Sequence, residues 1–261
     1  MTYPSDTTPD QTWLHLLEVA RAADAARTAL LRRLPEDDEL VDLYRPVLET
    51  EPPDRPYVVA HLAQSLDGCI ALPAGESQWI SGHEDLVHTH RLRALCDAVL
   101  VGARTVIHDD PQLTVRHVEG PHPLRVVLDP SGRLGPEHRI FEGGPDTTLV
   151  LATTPRSELE GRASVEVLQS AEAWMSPARV LATLHARGVR RVLVEGGGIT
   201  VSHFLGAGLL DRLHLVMAPL LVGEGRPSLS GVLSETLADC PRPATRVCPL
   251  GQDWLFDCVF T

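Results

Sequence analysis

The sequence predicts an α/β protein whose sheet is mainly parallel and flanked by helices, with a helical extension in front. Three observations predict it. Short apolar runs alternate with helix-period segments from residue 57 to residue 222. Two of those runs end in glycine turns, at Gly102 and at Gly196-Gly197-Gly198. Strand-like segments then dominate the C-terminal end, which adds an antiparallel edge.

The elements follow in order. Residues 1–10 are polar, with two prolines. Trp13, Leu16, Leu17, Ala20, Ala23, Leu30, Leu31 and Leu34 recur mostly at three- and four-residue steps and predict one helix starting at Thr12. A shorter helix is predicted over 38–48. Residues 49–56 are acidic and proline-rich, the composition of a linker. The expected organisation is a helical extension over 1–50, a linker over 51–56 and a main domain over 57–261. Tyr57 to Ala63 reads as a strand, closed by the turn Ser65-Leu66-Asp67-Gly68. A helix is predicted over 83–96, and strands over 97–102, 124–128, 148–152 and 165–168. Ser176 can cap, and Pro177 can open, a helix that Gly188 ends. A strand over 192–195, a helix over 200–206, a strand over 213–221 and a closing hairpin around Gly251 complete the chain.

Composition narrows the function. A formal charge of −12 leaves no basic surface for general nucleic-acid binding. Five cysteines without C-x-x-C spacing predict a reduced, cytoplasmic protein with no zinc site. The N-terminus lacks the basic start and apolar run of a signal peptide, and no apolar stretch approaches a membrane span.

Glu195-Gly-Gly-Gly198 follows a strand and precedes a helix, which is how a fold brings bare backbone amides up to a phosphate. Three glycines also serve a tight turn alone, because glycine tolerates positive φ. Val101-Gly102-Ala103-Arg104-Thr105 is a second turn of the same kind. Two such turns can hold the pyrophosphate of a dinucleotide from either side. Thr153-Thr154-Pro155-Arg156 could hold a ribose 2′-phosphate or be an ordinary polar loop. Asp109-Asp110 reads as a loop with capping and cofactor contacts rather than a metal site. His83-Glu84 lacks the second histidine of a zinc-protease helix, and His88 and His90 are expected on a solvated helix face. Arg93 and Arg116 are candidates to clamp a phosphorylated substrate.

In this order, Ser65–Gly68, Gly75–Ile80, His90–Arg93, Val101–Val106, Asp109–Arg116, Arg125–Asp129, Val194–Thr200, Ala207–Asp211 and Ala218–Gly223 resemble one family. It is the reductase domain of bacterial riboflavin biosynthesis, the 5-amino-6-(5-phosphoribosylamino)uracil reductases, with a dihydrofolate-reductase-like fold. The resemblance covers roughly residues 55–230. It implies a homodimeric NADPH-dependent enzyme that passes a hydride to the opened phosphoribosyl group. By motif position it assigns Ala63, Trp79, Thr105, Asp109, Ser131, Gly196, Gly197, Gly198, Ile199 and Thr200 to NADPH. It assigns Ser77, Arg93, Leu113, Arg116 and Glu195 to the substrate. His61 stands where the family commonly has lysine, and Cys69 where it often has Lys or Arg. Histidine can supply a proton with another reach and pKa. His61 and Glu195 are therefore the expected catalytic residues, and the acceptor stays open between the pyrimidine and a pterin-like or specialised-metabolite imine. A non-catalytic nucleotide-binding partner subunit is the alternative from another class. The family's deaminase has no zinc ligands to build on in residues 1–50, so deamination is expected from another protein.

Overall fold

The structure is a computed structural model and describes residues 10–142, 147–160, 162, 164–169, 176–231 and 234–260. Three helices come first: α1 (Gln11–Arg21), α2 (Asp24–Leu31) and α3 (Glu39–Glu49). The single helix expected from Thr12 is thus two. Ala22 and Ala23 are extended, and the carbonyls at the end of α1 are taken by arginines from the main domain. Arg190 donates to Ala20 and Ala22, and Arg191 to Ala20. These donors satisfy carbonyls that a helix end leaves open.

The strands are β1 (Tyr57–Ser65), β2 (Cys69–Ala71), β3 (Ala98–Gly102), β4 (Leu124–Leu128), β5 (Thr148–Ala152), β6 (Val165–Gln169), β7 (Arg191–Glu195), β8 (Arg212–Ala218), β9 (Arg226–Pro227), β10 (Ala244–Leu250) and β11 (Asp253–Val259). Between them lie α4 (His83–Leu95), α5 (Ala103–Asp109), α6 (Pro177–His185) and α7 (Gly198–Gly206). Nine strands form one sheet in the order β10-β11-β8-β1-β7-β3-β4-β5-β6. Pairing is parallel from β8 to β6 and antiparallel where β11 meets β8 and β10. The expected parallel sheet, antiparallel edge and closing hairpin are all present. β2 and β9 pair separately.

Burial on both faces explains the unbroken apolar runs of β3, β4 and β7. One face packs Val58, Ala60, Val192 and Val194 against Val180, Leu184, Val201 and Phe204 of α6 and α7. The other packs Tyr57, Val59, Val99 and Leu193 in one cluster with Leu92 of α4 and with Trp13, Leu16, Tyr44 and Val47. The helical segment therefore covers a sheet face. The coil expected as a linker is pinned: Arg55 grips Asp211 through two bonds of 2.7 and 2.6 Å, and Glu51 pairs with Arg27.

Candidate active site

Adjacent strands of a sheet point paired side chains the same way. The register places His61 opposite Glu195 on one side and His214 on the other. Three polar residues thus stand in a row across the central strands, with Glu195 at the C-terminal end of β7, facing α4. That helix answers with Asp85, His88 and Arg93, all buried.

Glu195 closes β7, and both its oxygens accept from Arg93, Nε and Nη2, at 2.6 Å each. Arg93 also donates to the Thr114 carbonyl at 3.1 Å. Its charge is matched, so the expected clamp of two free arginines becomes one. Arg93 anchors Glu195, and Arg116 is the exposed cation. Arg116 bonds the Thr114 hydroxyl. Burial and then the charges of Arg93 and Arg139 lower its pKa, while Glu195 raises it. Arg139 is therefore a second cation beside it, one that motif reasoning did not supply.

His61 Nε2 lies 2.8 Å from Asp85, whose other oxygen accepts from Ser81 at 2.6 Å. Burial opposes the imidazolium, but the charge and hydrogen bond of Asp85, with the charge of Glu195, outweigh it, and the His61 pKa is raised. Burial likewise works against the Asp85 carboxylate, and His61 and Ser81 together overcome it, leaving its pKa lowered. Asp85 takes Nε2, so Nδ1 is the nitrogen left for a ligand. Sequence reading missed Asp85. Its signal was the spacing of Asp85, His88, Leu92 and Arg93, which is one helix face.

Behind this pair runs a buried polar chain. Tyr44 meets His88 Nδ1 at 2.6 Å, and His88 Nε2 meets His214 Nδ1 at 3.0 Å. His214 Nε2 faces Asp257 at 3.5 Å, and Arg212 holds Asp257 through two bonds. One assignment orders the chain: Tyr44 donates to His88 and His88 to His214, which leaves the His214 Nε2 proton near the Asp257 carboxylate without a hydrogen bond to it. Burial drives both imidazoles to the neutral form that this requires. The expectation that His88 and His90 face solvent is wrong; they are 1% and 0% exposed. The sheet face opposite α4 is polar, so a polar helix face could be buried against it.

The glycine turns lie side by side because β3 and β7 are neighbours. Gly196 and Gly197 both have φ of +58°. A Cβ on Gly197 would stand 2.9 Å from the Thr105 hydroxyl, and one on Gly102 2.8 Å from that of Thr200. Each turn therefore fills the space that a side chain on the other would need. The two turns are thus packed on each other through Thr105 and Thr200, with Gly196 and Gly197 in the left-handed conformation that favours glycine. The Thr200 amide donates back to the Gly197 carbonyl at 2.8 Å, which leaves the amides of Gly198 and Ile199 at the helix start as the donors for a ligand.

The remaining expected residues spread around it. Ala63 is half-buried on the His61 side of β1, and Ser77 donates to Asp109 at 2.6 Å, joining an expected substrate residue to an expected cofactor residue. Trp79 is 81% exposed with φ of +68°, so its ring is free to cover a ligand. Ser131 is exposed on the turn after β4, and Ile199 is exposed at the start of α7. Leu113 is only 2% exposed, and its loop reaches the site through Thr114 and Arg116. Arg156 is removed from the 2′-phosphate reading: it is buried, with its donors spent on Asp129, Glu158 and the Leu134 carbonyl. Among the described residues no cluster of His, Cys, Asp or Glu could hold a metal ion, and no helix is long and apolar enough to cross a membrane.

Residues 56–255 match the RibD C-terminal domain family. Over 211 residues the chain is 36% identical to the 2,5-diamino-6-ribosylamino-4(3H)-pyrimidinone 5′-phosphate reductase of Methanothermobacter thermautotrophicus, covering 78% of this chain and 97% of that one. It is 34% identical to the riboflavin biosynthesis protein RibD of Corynebacterium ammoniagenes over 82% of its own length and 59% of the relative's. The crystal structure of a Thermotoga maritima deaminase/5-amino-6-(5-phosphoribosylamino)uracil reductase is similar with a TM-score of 0.72 and 29% identity, over 90% of this chain and 62% of that one. The chain thus spans nearly all of the archaeal reductase and about three-fifths of these bacterial proteins, and the likeness is not confined to bacteria. A mainly parallel sheet with this site at its strand ends, matched over most of its length, makes the chain a member of the RibD C-terminal domain family.

Proposed function

We propose that this chain is an NADPH-dependent reductase of riboflavin biosynthesis that delivers a hydride to the ribosyl carbonyl or imine of a phosphoribosylaminopyrimidine. The observation that carries this reading is the adjacency of three things: the interlocked glycine turns, the Arg93–Glu195 pair at their edge, and His61–Asp85 on the next strand. The nicotinamide supplies the hydride when bound. The Gly196–Thr200 turn and Thr105 would hold its pyrophosphate, with Ala63, Asp109 and Ser131 as further contacts, and Trp79 would wall the ring. Arg116 takes the substrate phosphate, with Arg139 beside it. Glu195, fixed by Arg93, orients the pyrimidine end next to Ser77. His61, kept protonated by Asp85, gives its Nδ1 proton to the acceptor atom as the hydride arrives. Holding donor and acceptor together away from water is the main physical task of such a site.

His61 in place of the family's lysine favours a second reading, in which the acceptor is a pterin-like imine. Loss of NADPH absorbance with the phosphoribosylaminopyrimidine, run beside a pterin imine and with NADH as control, decides among these. No turnover of the pyrimidine overturns the first reading, and no NADPH binding by fluorescence titration leaves a partner subunit. We further propose a cytoplasmic homodimer, with the helical segment over 1–50 as an extension that covers the reductase unit over 57–261. Free cysteines support the compartment. Val247 and Trp254, 48% and 52% exposed beside half-buried Leu215, Met217 and Phe256, support self-association. A monomer in sedimentation overturns it.

A further inference from the structure

The segment between α5 and β4 runs as coil, so no ladder satisfies its backbone. It nonetheless presents two site groups: Thr114, whose carbonyl accepts from Arg93, and Arg116. Two of its amides are satisfied by imidazoles instead. Val115 N–H donates to His122 Nδ1 at 3.1 Å, and Arg116 N–H donates to His90 Nδ1 at 2.9 Å. His90 sits on α4, one turn from Arg93, so the helix that fixes Glu195 also fixes this segment. His90 is fully buried, and its Nε2 has no hydrogen-bond partner among the described residues. A buried ring with one unpaired nitrogen is costly, which points to the work of the other nitrogen.

We propose that His90 is a positioning residue for substrate binding: its Nδ1 holds the Arg116 amide and so aims the Arg116 side chain at the substrate's phosphate. This rests on the reading of Arg116 as the phosphate ligand. An imidazole nitrogen accepts only while unprotonated. Burial, with Arg93, His117, Arg116 and His122 around it, pushes His90 down to about 3. The T-shaped contact with His117, ring centroids 4.6 Å apart, fixes the ring plane. His90 thus stays an acceptor throughout the working range of pH.

The test is steady-state kinetics of the full chain with the phosphorylated pyrimidine and its dephosphorylated counterpart. His90→Leu is expected to raise KM for the phosphorylated substrate about tenfold, the size of one lost hydrogen bond, with little change in kcat. KM for the dephosphorylated compound stays as it was. His90→Asn, whose amide oxygen can replace Nδ1, restores most of the loss. Added to Arg116→Ala, His90→Leu has no further effect. Equal KM rises for both substrates, a change in kcat alone, or full additivity with Arg116→Ala overturns the proposal. If the leucine variant does not fold, failure of the folded His90→Asn variant to keep KM near that of the parent overturns it equally. If Arg116→Ala itself treats both substrates alike, the phosphate reading falls first, and this proposal with it.

Discussion

Replacing Asp85 by Asn removes one charge from the His61 site and almost nothing else. The amide can still meet His61 Nε2 and Ser81, so packing and hydrogen bonding survive. What goes is the main influence that holds the buried imidazole protonated against burial. An opposite charge in contact moves a pKa by about one to three units. At about 1.4 kcal/mol per unit, a two-unit loss takes roughly 3 kcal/mol from the imidazolium. The His61 side chain is 8% exposed, so solvent does little to screen this. The sign follows from the direction of the shift. In the parent the acid form persists above the ordinary histidine pKa, and kcat falls as pH rises through the raised value. In Asp85→Asn burial acts with only Glu195 against it, and the same fall moves about two pH units lower. Above both values kcat drops roughly a hundredfold. Stability moves with the pair. The contribution of Asp85 is lost as pH falls through its lowered pKa, and that of His61 as pH rises through its raised one. The difference between parent and variant is therefore largest from about pH 4 to 6.5. The assay is kcat against pH at saturating NADPH, with the His61 ring proton followed by NMR. A folded variant whose falling limb coincides with the parent's refutes His61 as the acid.

Three further outcomes are expected. Gly197→Ala puts a side chain at φ of +58° and 2.9 Å from Thr105, and the left-handed backbone alone costs about 1–2 kcal/mol. Fluorescence titration will show NADPH binding weakened about tenfold or more. Glu195→Gln leaves Arg93 buried without its counter-charge, and urea unfolding will show a loss of up to about 3 kcal/mol together with lost turnover. Tyr44→Phe removes the hydroxyl on His88 and lowers stability by about 1 kcal/mol in the same urea experiment, with the helical segment unfolding together with the sheet.

Much of the fold was legible because its signals are local. Val192 to Gly198 states a buried strand and the turn that ends it, and Ser176-Pro177 states a helix start. The site was legible only in pieces. Glu195 and Arg93 could each be singled out, but not that they bind each other, because their partnership depends on β7 lying beneath α4. His88 and His90 read as polar and so as solvated. Only the register of His61, Glu195 and His214 shows that the sheet beneath them is polar too. Arg156 failed for the converse reason: beside hydroxyls in sequence it looked free, and a buried aspartate 27 positions earlier had claimed it. The break between α1 and α2 follows from Arg190 and Arg191, which no window around residue 22 contains.

The mutual occupancy of the two glycine turns sets a rule for how such a site can vary. A side chain gained at Gly102 collides with Thr200 and one gained at Gly197 with Thr105, while one at Gly196 would press tightly on the Thr105 methyl. The two loops, almost a hundred positions apart, are thus inherited as one part. Grafting either turn alone from a distant relative will fail where grafting both together succeeds, and substitutions within them will be tolerated in pairs.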